Sequence, residues 1–373
     1  MVPFKRVSLL LSAAALAGSA WAQSLHLDFI DVGQGDGAVL ISPGGEVVLF
    51  DDGRYKACDK PVRFLHRLGI DHIDYLFISH YHADHIGCTK EVLEGFPLRK
   101  AVYDRGGSYP GGVYAAYVKA VGDLRHTATK GQVITLDPGS PKPVKIQIAA
   151  LDGNGVQTTN ENDLSLDAVI RYGKFAAEIG GDLSGVATAD YLDIESGVAP
   201  AVGQVEIYDV HHHCSRYSTN STWLDVTRPK VGIVSVGDGN TYQHPAAECV
   251  ERLHEAGVQL FWTERGNGAE PDPSLDSVCG NIEVTVGPAD DYFSLTCGNS
   301  DPKTFAFWGS TATTGAAAAT TAAVPYAWSN QSHVYHYAQC ADVRRIKAEN
   351  LERGDTPPAG KTLHAGCPKA QHE

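Results

Sequence analysis

The sequence predicts an α/β protein in which two sheets pack face to face and helices cover their outer surfaces, a four-layer αββα sandwich. Short apolar runs typical of buried strands come in an early set and a late set, and helical patterns lie between them. Polar side chains follow several of these runs directly. The length of 373 residues allows a large core and more than one domain.

The early strand-like runs read LHLDFIDV, GAVLIS, EVVLFDD and IDYLFIS. The late runs read KPVKIQIAALD, SLDAVIRYG, KFAAEIGGD, QVEIYDVHH and KVGIVSVGD. Helical patterns predict helices at residues 61–68, 112–124, 184–196, 217–226 and 245–256. Two mixed sheets with helices outside them are the architecture that this order indicates.

The N-terminal segment has the features of a secretory signal. Lys5 and Arg6 precede the apolar stretch SLLLSAAALAGSA, and Ala20-Trp21-Ala22 follows as a small-residue cleavage site. We expect cleavage of residues 1–22, which makes the formal charge of −14 two units more negative. The stretch is shorter than the ~20 residues of a membrane span, and no later segment is long and apolar enough. We therefore expect a secreted or periplasmic protein without a membrane span.

A change of composition marks the end of the main domain. Residues 309–323 read GSTATTGAAAATTAA and carry no charge, which is typical of a flexible linker. We expect a main domain at residues 24–300 and a small C-terminal α+β module at residues 325–373. The segment ADVRRIKAENL is the predicted helix of that module.

All 8 cysteines follow the expected cleavage site, and an even number in an exported chain favours disulfides. Proximity in the sequence suggests Cys279–Cys297 and Cys340–Cys367, and Cys58–Cys88 and Cys214–Cys249 are further guesses. Two alternatives stay open. Cys214 could be a metal ligand, and the module could bind zinc through His336, Cys340, His364 and Cys367.

Residues 80–87, HYHADHIG, place four metal-ligand side chains within six positions, directly after the strand-like run IDYLFIS. They are His80, His82, Asp84 and His85. Imidazole nitrogen suits zinc, and carboxylate oxygen adds affinity for manganese, iron or magnesium. A mixed set at the end of a strand therefore predicts a catalytic metal centre rather than a solvated loop.

Ligand-type side chains also end three other strand-like runs. Asp51 and Asp52 follow EVVLF, Asp182 follows KFAAEIGG, and the histidines 211–213 follow QVEIYDV. Strand ends gather loops into one site, so we expect these residues to converge on the same centre. Asp182 alone could instead cap a helix over LSGVATADYL.

The pattern HxHxDH, with an upstream aspartate and a downstream glycine-aspartate and histidine, resembles the metallo-β-lactamase superfamily of binuclear hydrolases. Longer stretches look like the extracellular nuclease domain of the ComEC competence proteins. These stretches are FIDVGQGDGAVLI, VLFDDG, ENDLSLDAVIRYGKFAAEIGGDLSG, VHHHCSRYSTN and SVGDGNTYQHP. The resemblance runs in order from Leu25 to about Gly298 and implies the four-layer metallo-β-lactamase sandwich.

The resemblance implies two divalent metal ions, Zn or Mn, and assigns their ligands. The assignment is His80 and His82 for one ion, Asp84 and His85 with either His212 or His213 for the second, and Asp182 as the bridge between both. Asp51 would lie behind the centre and orient a ligand.

The resemblance also implies roles at the mouth of the site. Asp31, Gln34 and Asp36 of DVGQGD would line it. Asn240 and His244 of GNTYQHP would contact substrate or the developing charge, and they join Asp84 and Asp182 as the expected catalytic residues. The alternative for Asn240 and His244 is that this segment is an ordinary turn built on residues 238–240.

The sequence departs from the family pattern at one ligand of the first ion. The family usually supplies a third histidine there, but the only histidine between the motif and Asp182 is His126, in a helix-end context. Asn160, Glu161 or Asn162 would take its place and leave that ion weaker and more open. This favours the ComEC-like group over β-lactam or thioester hydrolysis. A second departure is Cys214, where glycine is usual.

We therefore expect an exported binuclear metal-dependent hydrolase, a phosphodiesterase or nuclease that acts on DNA or a smaller phosphodiester through a metal-activated hydroxide. The acidic chain disfavours a polyanionic partner, because nonspecific nucleic-acid binding uses clusters of Lys and Arg. The alternatives are a lactone or β-lactam hydrolase, and a noncatalytic metal-binding protein that acts through its tail module. No protein partner is inferred.

Overall fold

The computed structural model describes residues 24–289, 291–309, 326–337, 350–354, 358 and 360–363. The chain divides into two units, Met1–Ala312 and Thr313–Glu373. The expected signal at 1–22, nearly all of the linker at 309–323 and nearly all of the helix predicted in the module lie outside the described residues.

The first sheet of the larger unit has nine strands. In chain order they are β1 (Leu25–Phe29), β2 (Ala38–Ile41), β3 (Val47–Phe50), β4 (Ile73–Phe77), β5 (Leu98–Asp104), β6 (Arg125–Thr127), β15 (Ile282–Val286), β16 (Tyr292–Cys297) and β17 (Lys303–Ala306). Their spatial order is β17-β16-β15-β1-β2-β3-β4-β5-β6. The strands β3 to β6 run parallel to one another, and the metal motif follows the C-terminal end of β4.

The second sheet has eight strands. They are β7 (Val133–Leu136), β8 (Val144–Ala150), β9 (Asp167–Tyr172), β10 (Phe175–Ile179), β11 (Ile207–Asp209), β12 (Val231–Val234), β13 (Gln259–Trp262) and β14 (Asp276–Val278). Their spatial order is β14-β13-β12-β11-β10-β9-β8-β7. Because β10 and β11 are parallel, the loops after both strands lie at the same edge.

Six helices of the larger unit accompany the sheets. They are α1 (Asp59–Arg67), α2 (Thr89–Gly95), α3 (Gly112–Val121), α4 (Glu195–Val202), α5 (Ser221–Thr227) and α6 (Ala247–Glu255). Short 3-10 turns follow at Gly122–Leu124, Asp152–Gly155 and Asn162–Leu164, and His211–Cys214 forms a single tight turn.

Three apolar clusters separate the four layers. The central one lies between the sheets and includes Phe29, Phe77, Phe175 and Phe293. A second packs α4 to α6 against the eight-stranded sheet, and a third packs α1 to α3 against the nine-stranded sheet. Every residue of β1 and β3 is buried, because both faces of the sheet are covered. The predicted αββα sandwich is confirmed.

The larger unit extends beyond the expected boundary at residue 300. Strand β17 pairs with β16 in the nine-stranded sheet, and Phe307 is 2% exposed. The indole nitrogen of Trp308 donates to the carbonyl of Val205 at 3.2 Å. The unit therefore reaches at least Trp308, and a boundary at residue 300 would remove one of its strands.

The helix predicted at residues 184–196 is wrong. The amide of Ile194 donates to the carbonyl of Ser184 at 2.9 Å, which closes a loop, and α4 begins only at Glu195. The Asp193 carboxylate accepts the amide of Ser196 at 3.0 Å and so marks this later start. Asp182 consequently caps no helix. Sequence analysis also did not identify α2, β5 to β7 or β13 to β17.

The smaller unit contains four described strands. They are β18 (Tyr326–Ser329), β19 (Val334–Tyr337), β20 (Leu351–Gly354) and β21 (Thr362–Leu363), in the order β20-β18-β19-β21. Leu351, the last residue of the predicted helix, begins β20. Cys340, His364 and Cys367 lie outside the described residues. Across the described ranges, no helix has the length and apolar character to cross a membrane.

Candidate metal centre

The motif HYHADHIG occupies the loop that leaves β4 at the edge of the nine-stranded sheet. The amides of His85 and Ile86 both donate to the carbonyl of His82, at 3.1 and 3.2 Å, so the chain turns back on itself here. This turn brings His80, His82 and His85 together, with ring centroids of His80 and His85 only 4.1 Å apart.

Asp182 enters the same place from the loop after β10 in the other sheet. The preceding Gly181 has a φ of +58°, and a Cβ atom there would lie 2.4 Å from the Cβ atom of Ser79. Glycine therefore allows the close approach that puts Asp182 beside the histidines.

The two oxygens of the Asp182 carboxylate face different groups of ligands. Oδ2 lies 3.6 Å from Nε2 of His80, whereas Oδ1 lies 3.3 Å from Nε2 of His85 and 3.6 Å from Nε2 of His213. Asp84 Oδ2 is 3.6 Å from Nε2 of His213. One carboxylate thus stands between two sets of side chains that could each hold a metal ion.

In the described part of the chain, His80, His82 and Asp182 form one such group, and Asp84, His85 and His213 form another. Within each group the potential ligand atoms lie within 4.8 Å of one another. Of the two histidines left open by sequence, His213 lies in the second group. His212 lies on the side of the first, with Nε2 at 3.8 Å from Asp182 Oδ2.

Two aspartates and a serine orient the histidines from behind. Asp51 Oδ2 is 2.7 Å from Nδ1 of His85 and accepts the Ser79 hydroxyl at 2.6 Å. Nδ1 of His213 donates to the carbonyl of Ser235 at 2.9 Å and also lies 3.2 Å from Asp36 Oδ1. Donation from Nδ1 leaves Nε2 free to face the centre. Asp51 and Asp36 thus lie behind the imidazoles of His85 and His213, and Ser79 was not singled out by sequence.

Several buried polar atoms at the centre have no hydrogen-bond partner among the described residues. They are Nε2 of His85, Nε2 of His213, Oδ1 of Asp182 and Oδ1 of Asn162. A buried polar atom without a partner is costly, and all four atoms are donors of electron pairs that divalent ions accept. The residues present therefore fit a divalent metal.

Electrostatics differ between the two groups. Burial lowers the pKa of His80, and burial likewise lowers the pKa of His212 to about 4. Burial also opposes charge on His85 and His213, but Asp182 and the aspartates behind them outweigh it and raise the pKa of both rings. A metal ion bound at the second group must therefore displace protons from these two histidines.

Asp84 remains a carboxylate in this surrounding. Burial opposes its ionisation, but the bond to His213 and the charges of His85 and His213 outweigh burial and lower its pKa to about 2. Its oxygen is thus available to a cation throughout the neutral range.

Of the three residues that sequence offered in place of a third histidine, Asn162 is the one that lines the cavity at the centre. Its Nδ2 atom lies 3.1 Å from Nε2 of His212, and its side chain is buried. Glu161 instead forms an ion pair with Arg105 at 2.6 Å, and Asn160 donates to the carbonyl of Asp190. His126 lies in β6 next to Tyr103 rather than at the centre.

Asn240 does not face the centre, which corrects its expected catalytic role. Its Nδ2 donates to the carbonyls of Gly237 and His244, and its Oδ1 accepts the amides of Tyr242 and His244. These four bonds use its polar atoms to shape the turn. His244 does reach the cavity, where its ring centroid lies 5.4 Å from that of His212.

The mouth residues of DVGQGD separate in the structure. Gln34 lines the cavity, but Asp31 pairs with Lys60 at 2.8 Å and does not. His211 also turns away from the centre. Its Nδ1 lies 2.8 Å from Glu195 and its Nε2 3.0 Å from Glu178, in a fully buried cluster with Asp167.

Three disulfides connect the described cysteines: Cys58–Cys88, Cys214–Cys249 and Cys279–Cys297. The suggestion that Cys214 is a metal ligand is therefore wrong, since its sulfur is bonded to Cys249. Cys88 follows His85 by three positions, and Cys214 directly follows His213. Two of the three cross-links thus hold the loops that carry the ligands.

A cavity of about 650 Å³ opens over the centre. Its walls contain His82, Asp84, Asp182, His212 and His213. They also contain a set of tyrosines, namely Tyr81, Tyr109, Tyr114, Tyr191, Tyr217 and Tyr242. The cavity is therefore continuous with both ligand groups.

Fold and centre together define a metallo-hydrolase of the αββα class. The model of the metallo-beta-lactamase superfamily matches residues 30–238, and the chain belongs to this superfamily. The match begins at Ile30, directly before the DVGQGD segment, and ends at Asp238.

Two curated relatives share sequence with the chain. ComE operon protein 3 of Bacillus subtilis (strain 168) is 23% identical over 259 residues, which are 64% of this chain and 32% of that protein. Recombination protein 2 of Haemophilus influenzae is 28% identical over 234 residues, which are 61% of this chain and 26% of that protein. The chain thus spans a third or less of the length of these relatives.

Among solved structures, a diphosphatase of the PhnP family is similar, with a TM-score of 0.39 and 13% identity. The similarity covers 68% of this chain and 94% of that one.

Proposed function

We propose that this protein is an exported binuclear phosphodiesterase or nuclease that acts on DNA or a smaller phosphodiester. The observation that carries the proposal is the Asp182 carboxylate, whose two oxygens face two separate groups of ligand side chains. Such an arrangement suits a pair of divalent ions that share one carboxylate. Zn and Mn are the ions that the mixed imidazole and carboxylate set favours.

The proposed ligands divide between the two ions. His80 and His82 bind the first, with Asn162 and His212 beside them, and Asp84, His85 and His213 bind the second. When bound, the two ions would supply an activated water and neutralise charge on the phosphoryl oxygens. Asp51 and Asp36 keep the imidazoles of His85 and His213 in the orientation that binding requires.

His244 is the proposed contact to the substrate outside the ligand set. Burial and the neighbouring His213 and His212 lower its pKa to about 3, so its ring is neutral near pH 7. Its Nδ1 atom is buried without a partner in the described residues. A neutral imidazole at the cavity wall can donate a hydrogen bond to a phosphoryl oxygen.

Three observations support the remaining parts of the proposal. The similarity to a protein named for recombination favours a nucleic acid. The disulfides favour an oxidising compartment, so the protein would be secreted or periplasmic. Asn162 at the third-histidine position would leave the first ion with a weaker ligand, which distinguishes this centre from that of the lactamases.

The test combines metal analysis with three substrates. We expect close to two divalent ions per chain and hydrolysis of bis-p-nitrophenyl phosphate and heat-denatured plasmid DNA that a chelator abolishes. Nitrocefin should be stable, and its rapid hydrolysis would favour β-lactam hydrolysis instead. Asp182→Asn should lose both ions and activity, whereas Asp123→Asn at an exposed position should not. Active protein with far less than one ion per chain would refute the proposal.

A further inference from the structure

The tyrosines of the cavity fall into two kinds. The hydroxyl of Tyr81 donates to the carbonyl of Gly106 at 2.7 Å, and that of Tyr114 donates to the carbonyl of Gly107 at 3.0 Å. These two rings are fixed as part of the wall. The hydroxyls of Tyr109, Tyr191, Tyr217 and Tyr242 form no hydrogen bond with any residue that the structure describes. We call these four the tyrosine wall.

The tyrosine wall begins at the ligand histidines and continues outward from them. Tyr109 lies 5.7 Å from His82, and Tyr191 lies 5.7 Å from His212, measured between ring centroids. Tyr191 and Tyr217 stack at 4.8 Å with an interplanar angle of 20°. The fourth ring, Tyr242, is 64% exposed. Aromatic faces therefore flank the centre beside His82 and beside His212.

An exposed aromatic ring can bury a large apolar area when a ligand covers it. Tyr242 is one of the few large exposed hydrophobic side chains that the described chain presents, and it stacks on His244 at 5.7 Å and 27°. A ring placed in this way next to a reaction centre is suited to contact a flat part of the substrate.

The charges of the cavity indicate which part of the substrate the aromatic rings contact. No Lys or Arg is among its lining residues in the described structure, and the whole chain has a formal charge of −14. Beyond the metal centre, the cavity offers nothing that would attract a run of phosphates. Arg216 lies in an adjoining pocket that shares Tyr217 and Tyr242. Within the cavity itself, affinity for a nucleic acid therefore comes from groups other than its backbone, and nucleobases are the flat, aromatic groups that a nucleic acid carries.

We propose that the tyrosine wall binds the nucleobases on either side of the scissile phosphate, so that the substrate is a single-stranded nucleic acid. The inference rests on the proposed phosphodiesterase function and adds its substrate class. Bases in a duplex are paired and stacked on each other, and their faces are closed to the tyrosines. Bases of a single strand can turn outward and stack on aromatic side chains irrespective of sequence.

The first test compares three substrates of equal length: oligothymidylate, an abasic oligomer with the same phosphates, and a duplex. Stacking contributes about 5- to 150-fold in affinity per base. The kcat/KM for oligothymidylate should therefore exceed that for the abasic oligomer by at least about 5-fold. The duplex should be cleaved as slowly as the abasic oligomer. Equal kcat/KM for oligothymidylate and the abasic oligomer would overturn the inference.

The second test uses substitutions in the wall, with the ratio of the two kcat/KM values as the readout. Tyr191→Ala and Tyr217→Ala should bring the ratio toward one. Tyr191→Phe and Tyr217→Phe keep the ring and remove only a hydroxyl that bonds to no described residue, so they should keep the ratio. Stacking would be contradicted if the ratio fell toward one in the Phe variants as well. It would also be contradicted if the ratio stayed unchanged in the Ala variants.

Salt dependence adds an independent readout. A protein with 6–10 phosphate contacts loses about 10³- to 10⁵-fold in affinity between about 50 and 200 mM salt. Here KM for oligothymidylate should change by less than about tenfold over that range. A steep change would indicate phosphate recognition and overturn the inference.

Hydrolysis of methyl p-nitrophenyl phosphate, which carries no nucleobase, separates this inference from the proposed function. Turnover of that compound together with equal use of the thymidylate and abasic oligomers would refute the tyrosine wall alone. No turnover of any phosphodiester by the metal-loaded protein would refute both.

Discussion

The disulfide Cys214–Cys249 should control metal affinity as well as stability. It joins the turn that carries His212 and His213 to α6, and the amide of Ala246 donates to the carbonyl of Cys214 at 2.7 Å. In this turn His212, His213 and Cys214 have φ values of 53°, 54° and 58°. Left-handed backbone costs roughly 1–2 kcal/mol per residue outside glycine, so the turn depends on what surrounds it.

The expected magnitude follows from the loop that the cross-link closes. A sequence separation of 35 corresponds to about 4 kcal/mol of stabilisation in the chain-entropy model. Cys279–Cys297, with a separation of 18, corresponds to about 3 kcal/mol and joins the segment between β14 and β15 to the last residue of β16. The double variants Cys214→Ala/Cys249→Ala and Cys279→Ala/Cys297→Ala should therefore lose similar free energy of unfolding.

Metal affinity should distinguish the two variants. Without its cross-link the strained turn can relax and withdraw His213, whereas no ligand adjoins Cys279 or Cys297. We expect about 10- to 100-fold weaker metal binding in the first variant, the cost typical of losing support behind a ligand. The free energy of unfolding is measured by denaturant titration in chelator, and metal affinity by competition with a chromogenic chelator. Equal metal affinity in both variants would refute the reasoning.

Asp51→Asn, which leaves the ligands in place, should weaken metal binding by about 10- to 100-fold, and Asp182→Asn should weaken it more. Chelator competition measures both affinities. Weaker binding in Asp51→Asn than in Asp182→Asn would contradict the bridging position of Asp182. Metal affinity should rise as the pH rises past about 6.5, because the pKa values of His85 and His213 are raised and protons compete with the ion. Apparent dissociation constants at several pH values check this, and a pH-independent affinity would exclude it. A chain that ends after Trp308 should unfold at the same temperature as the larger unit of the full chain. A chain that ends after Ser300 loses β17 and the buried Phe307, which should lower the free energy of unfolding by about 3–5 kcal/mol or more. Thermal melts compare the two chains, and equal melting temperatures would place the boundary at residue 300.

Sequence reasoning located most of the centre because its signals are local. HYHADHIG sits within one loop, and Asp182 was found from a strand that ends in polar residues. The choice between His212 and His213 could not be made in this way. They are adjacent residues in a left-handed turn, and only the tertiary structure shows that His213 faces Asp84 while His212 faces Asn162.

The parts that were missed depend on contacts distant in sequence. Strand β15 pairs with β1 across most of the chain, as in the register of Leu27 with Val284, so no local periodicity identifies its position. The tyrosine wall is similar, since Tyr109 and Tyr242 come from loops of different sheets. The helical pattern predicts a helix at residues 184–196, but Gly185 lies against the Glu195 carboxylate, and the residues before Glu195 form a loop instead.

The centre draws on both sheets of the sandwich. His80 to His85 follow β4 of the nine-stranded sheet, whereas Asp182 and His213 follow β10 and β11 of the eight-stranded sheet. The position of one sheet on the other therefore sets the separation between ligands, and side chains such as Phe175 and Phe293 in the central cluster fix that position. A substitution deep in this cluster would move the ligands without touching any of them. Conversely, a cation bound by ligands from both sheets would stabilise the packing of one sheet on the other. Metal binding should therefore raise the stability of the core, and a change in core packing should change metal affinity.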